Sequence, residues 1–306
     1  MLKRFPLALA IGFFLIACTT EPIAEDKPIE AKPAIPSLSL GEAIYVVHNV
    51  NSANDYFESE MGFVTDRFTP LSAHTQTRTI LFQNRSAIQL VSSDNSEDVF
   101  ARLVADSLSE REGIAFIGIK TSSLQDTMTI FKRRDIPFTL LTASDNRKRA
   151  IFFPDFPRLR MFYFFESEAT MSDTAQKNDV LGLNEAWIAV DDFYALEDDF
   201  AALGLAEPSE TILQPFRSMA KQIHLSQGSL IFVKREHLED PDKMYLRADT
   251  STVLGLSLNT VSIEATAHRM SRRKFDYATT RYNNKACILI PPKSAVGSWL
   301  EFARQM

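Results

Sequence analysis

The feature that most constrains this chain is that it repeats itself. Gly41-Glu42-Ala43-Ile44-Tyr45-Val46-Val47 returns as Asn184-Glu185-Ala186-Trp187-Ile188-Ala189-Val190. Each copy reads as a short apolar strand followed by an amphipathic helix, Ser52 to Met61 in the first and Phe193 to Leu203 in the second. The helices are closed by Gly62-Phe63 and Gly204-Leu205. Further on, the nine residues from Ile80 to Ile88 match Ile223 to Ile231 without a gap, two strands around a polar turn. Self-similarity of this kind outranks local propensity as a guide to architecture, and it predicts two halves built on one plan.

Each half holds a second, weaker copy of the unit. Gly113 to Ile119 reads as a strand, Ser122 to Arg134 as a helix, and Phe138 to Leu141, Ala150 to Phe153 and Leu159 to Phe165 as three more strands. Gly255 to Val261 opens the last unit, with a helix near Ile263 to Met270 and strands at Phe275 to Arg281, Ala286 to Ile290 and Ser298 to Phe302. The expected class is α+β, with four strand-helix-strand-strand-strand (βαβββ) modules.

This cadence resembles the vicinal oxygen chelate superfamily, which includes glyoxalases, extradiol dioxygenases and bleomycin-resistance proteins. The resemblance rests on the spacing from Val47 to Gly62-Phe63, its echo from Val190 to Gly204, and the ending Ile290-Pro291-Pro292-Lys293-Ser294-Ala295-Val296-Gly297-Ser298-Trp299-Leu300-Glu301-Phe302. Thr77-Arg78-Thr79-Ile80 and Phe152-Phe153-Pro154 make the glyoxalase-like branch the nearest. The resemblance implies modules paired into two cupped-sheet domains, at 40–170 and 180–306. It also implies a divalent metal in a cup, held by His or Glu in the first strand of each module and by Glu in its last strand. By position, the first-strand slots are Glu42, Ile114, Glu185 and Leu256, and the last-strand slots are Gln89, Tyr163, Phe232 and Glu301.

A catalytic metal wants about three His, Glu or Asp ligands and an open position. Neither half offers three, so the expectation is no cofactor; the alternative is a divalent metal on Glu185 and Glu301, with His224 as a third ligand from the adjacent strand. His74, Thr77 and Arg78, at the entry to a strand, are candidate ligand-binding residues of the first half, against a plain reading as surface loop. His48 reads as exposed at a strand-to-helix turn. Cys287 sits in the apolar run Ala286 to Ile290 and reads as core packing, with no His or Asp beside it in sequence.

The first eighteen residues speak to location. Lys3 and Arg4 precede an apolar run from Phe5 to Phe14, followed by Leu15-Ile16-Ala17-Cys18. A basic head, a short apolar core and small residues before a cysteine make a secretory signal over 1–17, too short for a comfortable membrane span. The ending resembles a bacterial lipobox, which implies lipidation (palmitate among the chains) at Cys18. Thr19, where aspartate would resemble an inner-membrane retention signal, points to the outer membrane, facing the periplasm. The segment 18–39, with Pro22, Pro28, Pro33 and Pro36 among charged residues and alanine, cannot offset its ordering entropy and reads as a tether.

Roughly 270 residues follow, enough for two domains with their own cores. A net charge of −6 argues against a nucleic-acid partner. The sequence carries no nucleotide-binding Gly-rich loop, Gly-x-Ser-x-Gly elbow or Cys-x-x-Cys pair. Two functions remain from different classes. One is a binder whose cups hold a small ligand or an envelope protein. The other is a glyoxalase-like lyase or isomerase in which Glu185 or Glu301 moves a proton or holds a metal. The six phenylalanines between Phe152 and Phe165 are core if both faces of their hairpin are covered, and a ligand pocket if one is open.

Overall fold

The computed structural model describes residues 37–66, 70–93, 98–143, 148–167, 179–247, 251–273, 275–282 and 285–304. The signal segment and Cys18 lie outside the described residues. Among those described, no helix is long and apolar enough to cross a membrane.

The elements are β1 Leu38–Val46, α1 Val50–Ser59, β2 Gln76–Leu81, β3 Ala87–Ser92, α2 Val99–Glu110, β4 Gly113–Thr121, α3 Leu124–Arg133, β5 Thr139–Thr142, β6 Lys148–Phe152 and β7 Phe162–Ser167. The second half follows with β8 Val180–Val190, α4 Phe193–Leu203, β9 Ser209–Leu213, β10 Ser218–His224, β11 Ser229–Lys234, α5 Asp240–Lys243, β12 Ser251–Thr260, α6 Ile263–Arg272, β13 Ala278–Tyr282, β14 Lys285–Ile290 and β15 Trp299–Arg304. β1 therefore begins at Leu38, two residues inside the segment read as tether.

The strands form two curled, mixed sheets, ordered β2-β3-β1-β4-β7-β6-β5 and β13-β14-β15-β12-β8-β11-β10-β9. In every module the first strand runs parallel to the last, as β1 with β3, β4 with β7, β8 with β11 and β12 with β15. Modules join antiparallel through their first strands, β1 on β4 and β8 on β12. This is the expected α+β arrangement of four βαβββ units in two cupped sheets. In the first unit the strand after the helix is reduced to a bridge between Asp66 and Thr79.

Each crossover helix starts on a polar cap just past its strand, because Asn49, Ser123, Asp192 and Ser262 accept the backbone N–H groups of Ser52, Asp126, Tyr194 and Ala265. Gly204, at φ 81°, then supplies the left-handed residue that ends α4. The apolar sides of α1, α3, α4 and α6 pack on the outward faces of both sheets in one continuous core that includes Tyr45, Phe57, Phe131, Phe164, Phe200, Phe232 and Phe302. The halves are also laced by hydrogen bonds. Leu40 N–H donates to the Gln227 carbonyl at 2.7 Å, and Leu183 N–H to the Ser86 hydroxyl at 2.8 Å.

The opposite faces, here called the cup faces, differ. In the first sheet Ile44, Val46, Phe116, Phe152, Tyr163 and Phe165 are covered by Phe100, Leu103 and Val104 of α2. In the other sheet the matching connection, from β11 to β12, holds only the four-residue α5, with Leu238 and Leu246 packed on the smaller cluster, and the repeat predicts no helix at either place. Helix α2 fills the first cup, so the phenylalanine-rich hairpin β6–β7 is covered on both faces and is core. In the second sheet a smaller apolar cluster of Trp187, Ala189, Ile231, Val233 and Leu254 occupies one end of the cup face, with Phe216, Leu289 and Trp299 packed partly exposed beside it.

Candidate functional site

Residues directly paired across neighbouring strands point to the same face, so register alone determines which side chains share a cup. In the second sheet, His224 pairs with Ser229, Ser229 with Glu185, Glu185 with Ser257, Ser257 with Glu301, and Glu301 with Leu289. These residues form one transverse row over six strands. It faces the cup, because the alternating neighbours Ile223, Leu230, Ala186, Leu256 and Leu300 lie in the shared core.

The row runs from solvent into the protein. His224 is exposed, Glu185 half-buried, Ser257 fully buried and Glu301 only 6% exposed. The His224 Nδ1 lies 3.3 Å from the Ser229 hydroxyl, and the Trp187 indole N–H donates to Glu185 Oε2 at 3.1 Å. Burial pushes the Glu301 carboxyl up to about 7, and the negative charge of Glu185 adds to the shift. Neighbouring Ser257 and Cys287 partly offset it by favouring the ionised form. The Ser257 hydroxyl nevertheless makes no well-formed hydrogen bond. The Cys287 thiol is buried and held far above its ordinary range, first by desolvation and then by the charge of Glu301, so it is a poor nucleophile.

The first sheet has the same row with different chemistry. Leu81 pairs with Ala87, Ala87 with Glu42, Glu42 with Gly118, Gly118 with Tyr163, and Tyr163 with Phe152. The Tyr163 hydroxyl donates to Glu42 Oε2 at 2.6 Å, and its ring stacks on Phe152 at 4.9 Å. A side chain at Gly118 would strike that ring, since an added Cβ would lie 2.5 Å from it. The row is sealed beneath α2.

Three slots assigned by position are corrected by this register. Ile114, Leu256 and Phe232 all lie in the shared core and point away from the cups. The cup-facing residues are Gly118, Ser257 and, on β11, Ser229. Gln89 does face the first cup, but it pairs with Ile44, two residues beyond Glu42.

Glu185, Glu301 and His224 are thus in one row, while His74, Thr77 and Arg78 belong to the other sheet and form no site with them. Thr77 pairs with Val91 of the first cup face, whereas Arg78 pairs with Leu90 of the shared core, so the two point to opposite sides of β2. His74 lies in the preceding turn, where its N–H donates to the Ser72 hydroxyl at 2.9 Å. With His48 and Asn49 it lines a polar cleft of about 580 Å³.

A divalent metal is tested by the donor set. Glu185 and Glu301 supply two carboxylates, and the residue between them is a neutral serine hydroxyl, a weak ligand. Among the described residues no group of three His, Cys, Asp or Glu could hold a metal ion, and His224 stands two strands from the nearer carboxylate, Glu185. The residues do not fit a three-ligand metal centre.

No protein-family model matches the sequence, and curated proteins give no match. The fold does match solved structures. A variant of 4-hydroxymandelate synthase from Streptomyces coelicolor superposes with a TM-score of 0.64 at 9% identity, covering 89% of this chain and 93% of the other. A catechol 2,3-dioxygenase gives 0.58 at 15% identity, covering 89% and 94%. The 2,2',3-trihydroxybiphenyl 1,2-dioxygenase of Sphingomonas wittichii gives 0.57 at 14% identity, covering 88% and 91%. At such identities the likeness is one of fold, over nearly the whole of each chain.

Proposed function

We propose that the chain is a lipid-anchored cell-envelope protein of the vicinal oxygen chelate superfamily whose second cup binds a small ligand without a complete metal site. Superfamily membership is supported by the four-module fold and its full-length likeness to the solved enzymes. The anchor is supported by the basic, apolar and small-residue succession that ends at Cys18, and the outer membrane by Thr19. The observation that carries the binding role is the row Glu185-Ser257-Glu301. It retains polar groups in the cup of one sheet while the equivalent row of the other is closed by Tyr163 and α2.

A second reading is favoured by the buried position of Glu301, whose carboxyl titrates near 7. Such a group is partly ionised at neutral pH and can take a proton from a carbon next to a carbonyl and return it, the work of a glyoxalase-like lyase or isomerase. Dioxygenase chemistry of the kind named for the structural neighbours finds too few ligands in this row.

Metal analysis of the purified full chain, with thermal shifts against Mg²⁺, Mn²⁺ and Zn²⁺, tests the binding role. Substoichiometric metal and no shift are expected; one tightly held metal per chain would overturn it. For the anchor, Cys18→Ser is expected to release the protein from the membrane fraction, and retention there would refute lipid attachment.

A further inference from the structure

The polar cleft of about 580 Å³ beside His48 and His74 lies outside both cups, where α1 begins and β3 ends. It is therefore separate from the second cup and from the ligand reading of that cup. Gln76 pairs with Ser92, two residues from the pair of Arg78 and Leu90, so both continue the outward face of β2 and β3. The shared core covers that face at Ile88 and Leu90. Past Leu90 the face turns polar, and Asn49 and Asn51 at the start of α1 form the other wall of the cleft.

The second half shows what opens this cleft. Ser92 follows Ala87, the partner of Glu42, by five residues, and Lys234 follows Ser229, the partner of Glu185, by five. The two occupy the same station. Lys234 reaches over the Phe193 ring, with Nζ 5.7 Å from its centroid, and so fills the corner between strand and helix. Phe193 opens α4 as Val50 opens α1. Serine and valine at these two stations leave room for the cleft.

We infer that the cleft is a binding site for an uncharged saccharide. Its volume falls in the range of small-molecule sites, roughly 300–1,000 Å³. Among the described residues no Asp, Glu, Lys or Arg lines it, so an ion taken from water would meet no opposite charge to offset its lost hydration. The helix start does not make it an anion site, because the Asn49 side chain already accepts the Ser52 N–H at 3.0 Å and the Glu112 carboxylate accepts the His48 N–H at 2.7 Å. An apolar ligand would leave the lining groups unpaired. Amides, hydroxyls and neutral imidazoles each donate and accept, as the hydroxyls of a sugar do. Ser92 points to a ligand independently of this lining. It is only 9% exposed, it borders the cleft, and its hydroxyl has no partner among the described residues. Buried polar groups are nearly always paired, and a ligand hydroxyl would pair this one.

The test uses the full chain in a detergent without a sugar head group. Maltose, cellobiose and N,N'-diacetylchitobiose are the probes, with saturation-transfer NMR for contact and calorimetry for affinity. At least one is expected to bind at millimolar concentration or below. Ser92→Lys, which copies the closed corner of the second half, is expected to weaken that binding at least about tenfold while cooperative urea unfolding is retained. Gln76→Ala, at an exposed strand position, is expected to weaken it severalfold, and it decides the matter if Ser92→Lys does not fold. Saccharide binding unchanged in the folded variants lies elsewhere and overturns the inference. No binding of any of the three at millimolar concentration also overturns it. Inorganic phosphate or Zn²⁺ bound in preference to every saccharide, and lost in the same variants, would assign the cleft to an ion and overturn it as well.

Discussion

Tyr163 and Glu301 occupy the same station in their two sheets. Tyr163 pairs with Gly118, which pairs with Glu42; Glu301 pairs with Ser257, which pairs with Glu185. Two exchanges separate the rows, a phenol for a carboxyl at this station and Gly118 for Ser257 beside it. In the first cup Glu42 receives the Tyr163 hydroxyl at 2.6 Å beneath a covering helix. In the second, two acids share a face.

Tyr163→Phe should therefore weaken the first half without touching the second. It withdraws a donor from a carboxylate that is only 7% exposed, and such a loss costs about 1–3 kcal/mol. A fall of that size in urea unfolding is expected, with the fluorescence of Trp187 and Trp299 in the native state unchanged. Unaltered stability would show that the Glu42–Tyr163 contact contributes nothing to the sealed cup.

Glu301 should give the molecule a pH dependence of unusual sign. Its folded-state carboxyl titrates at about 7 against an ordinary value of 4.5. Between those values the native state holds a proton that the unfolded chain has released, so stability falls as pH rises from about 4.5 to 7 and is flat above. The full swing is on the order of 3 kcal/mol. Subtracting the urea midpoints of Glu301→Gln from those of the parent isolates this term from other titrations. The difference should shrink toward acid pH, and a difference independent of pH would place the carboxyl in an ordinary environment.

Gly255→Ala should be costly although its backbone is unstrained. The new methyl would meet the carbonyl of Trp299 at 2.4 Å, backbone that cannot turn aside, so β12 and β15 must separate. Overpacking of this kind costs about 1–3 kcal/mol. A lower unfolding midpoint with a shifted tryptophan emission is expected; an emission unchanged from the parent would mean that the two indoles do not depend on this approach.

Much of this was legible in the sequence because the duplication is strong at its first strands and helices. α4 spans Phe193–Leu203, as the pattern predicts, and the four modules follow the repeat. The site was legible only where the strand alternated. Glu185 and Glu301 were read correctly as cup positions of their strands, but Leu256 is one residue from the cup-facing Ser257, and a one-residue slip reverses the face. Register shifts in β12, between Val253 and Gly255 and between Ser257 and Leu258, break the counting there. In β4 the run Gly113 to Ile119 is apolar on both faces and carries no period at all, so Ile114 stood in for Gly118. α2 was missed for a different reason. Asp98 caps it and Phe100, Leu103 and Val104 mark a helical stripe, but the repeat has no place for a helix between modules.

That helix is held from the opposite half, which leads to a prediction about how the first cup stays closed. Arg247, 6% exposed, precedes β12 and donates to the carbonyls of Ser107, in the last turn of α2, and Arg111, just past its end, the latter at 3.2 Å. A guanidinium there adds a donor to carbonyls at the helix end and opposes the negative end of the helix dipole. Its backbone is fixed in turn, since its N–H donates to the Thr252 hydroxyl and its carbonyl accepts from Arg235, both at 2.9 Å. Nearby Arg111, lowered to about 10 chiefly by burial and then by the charge of Arg247, shows that the molecule tolerates two guanidiniums in close quarters to keep this contact. Arg247→Met keeps the stem and removes the charge, and should cost about 1.5–3 kcal/mol. Amide hydrogen exchange should then quicken first in Val99–Glu110, while β8 and β12 keep their protection. Exchange that quickens equally in every strand would mean that α2 leaves its cup only when the whole fold unravels.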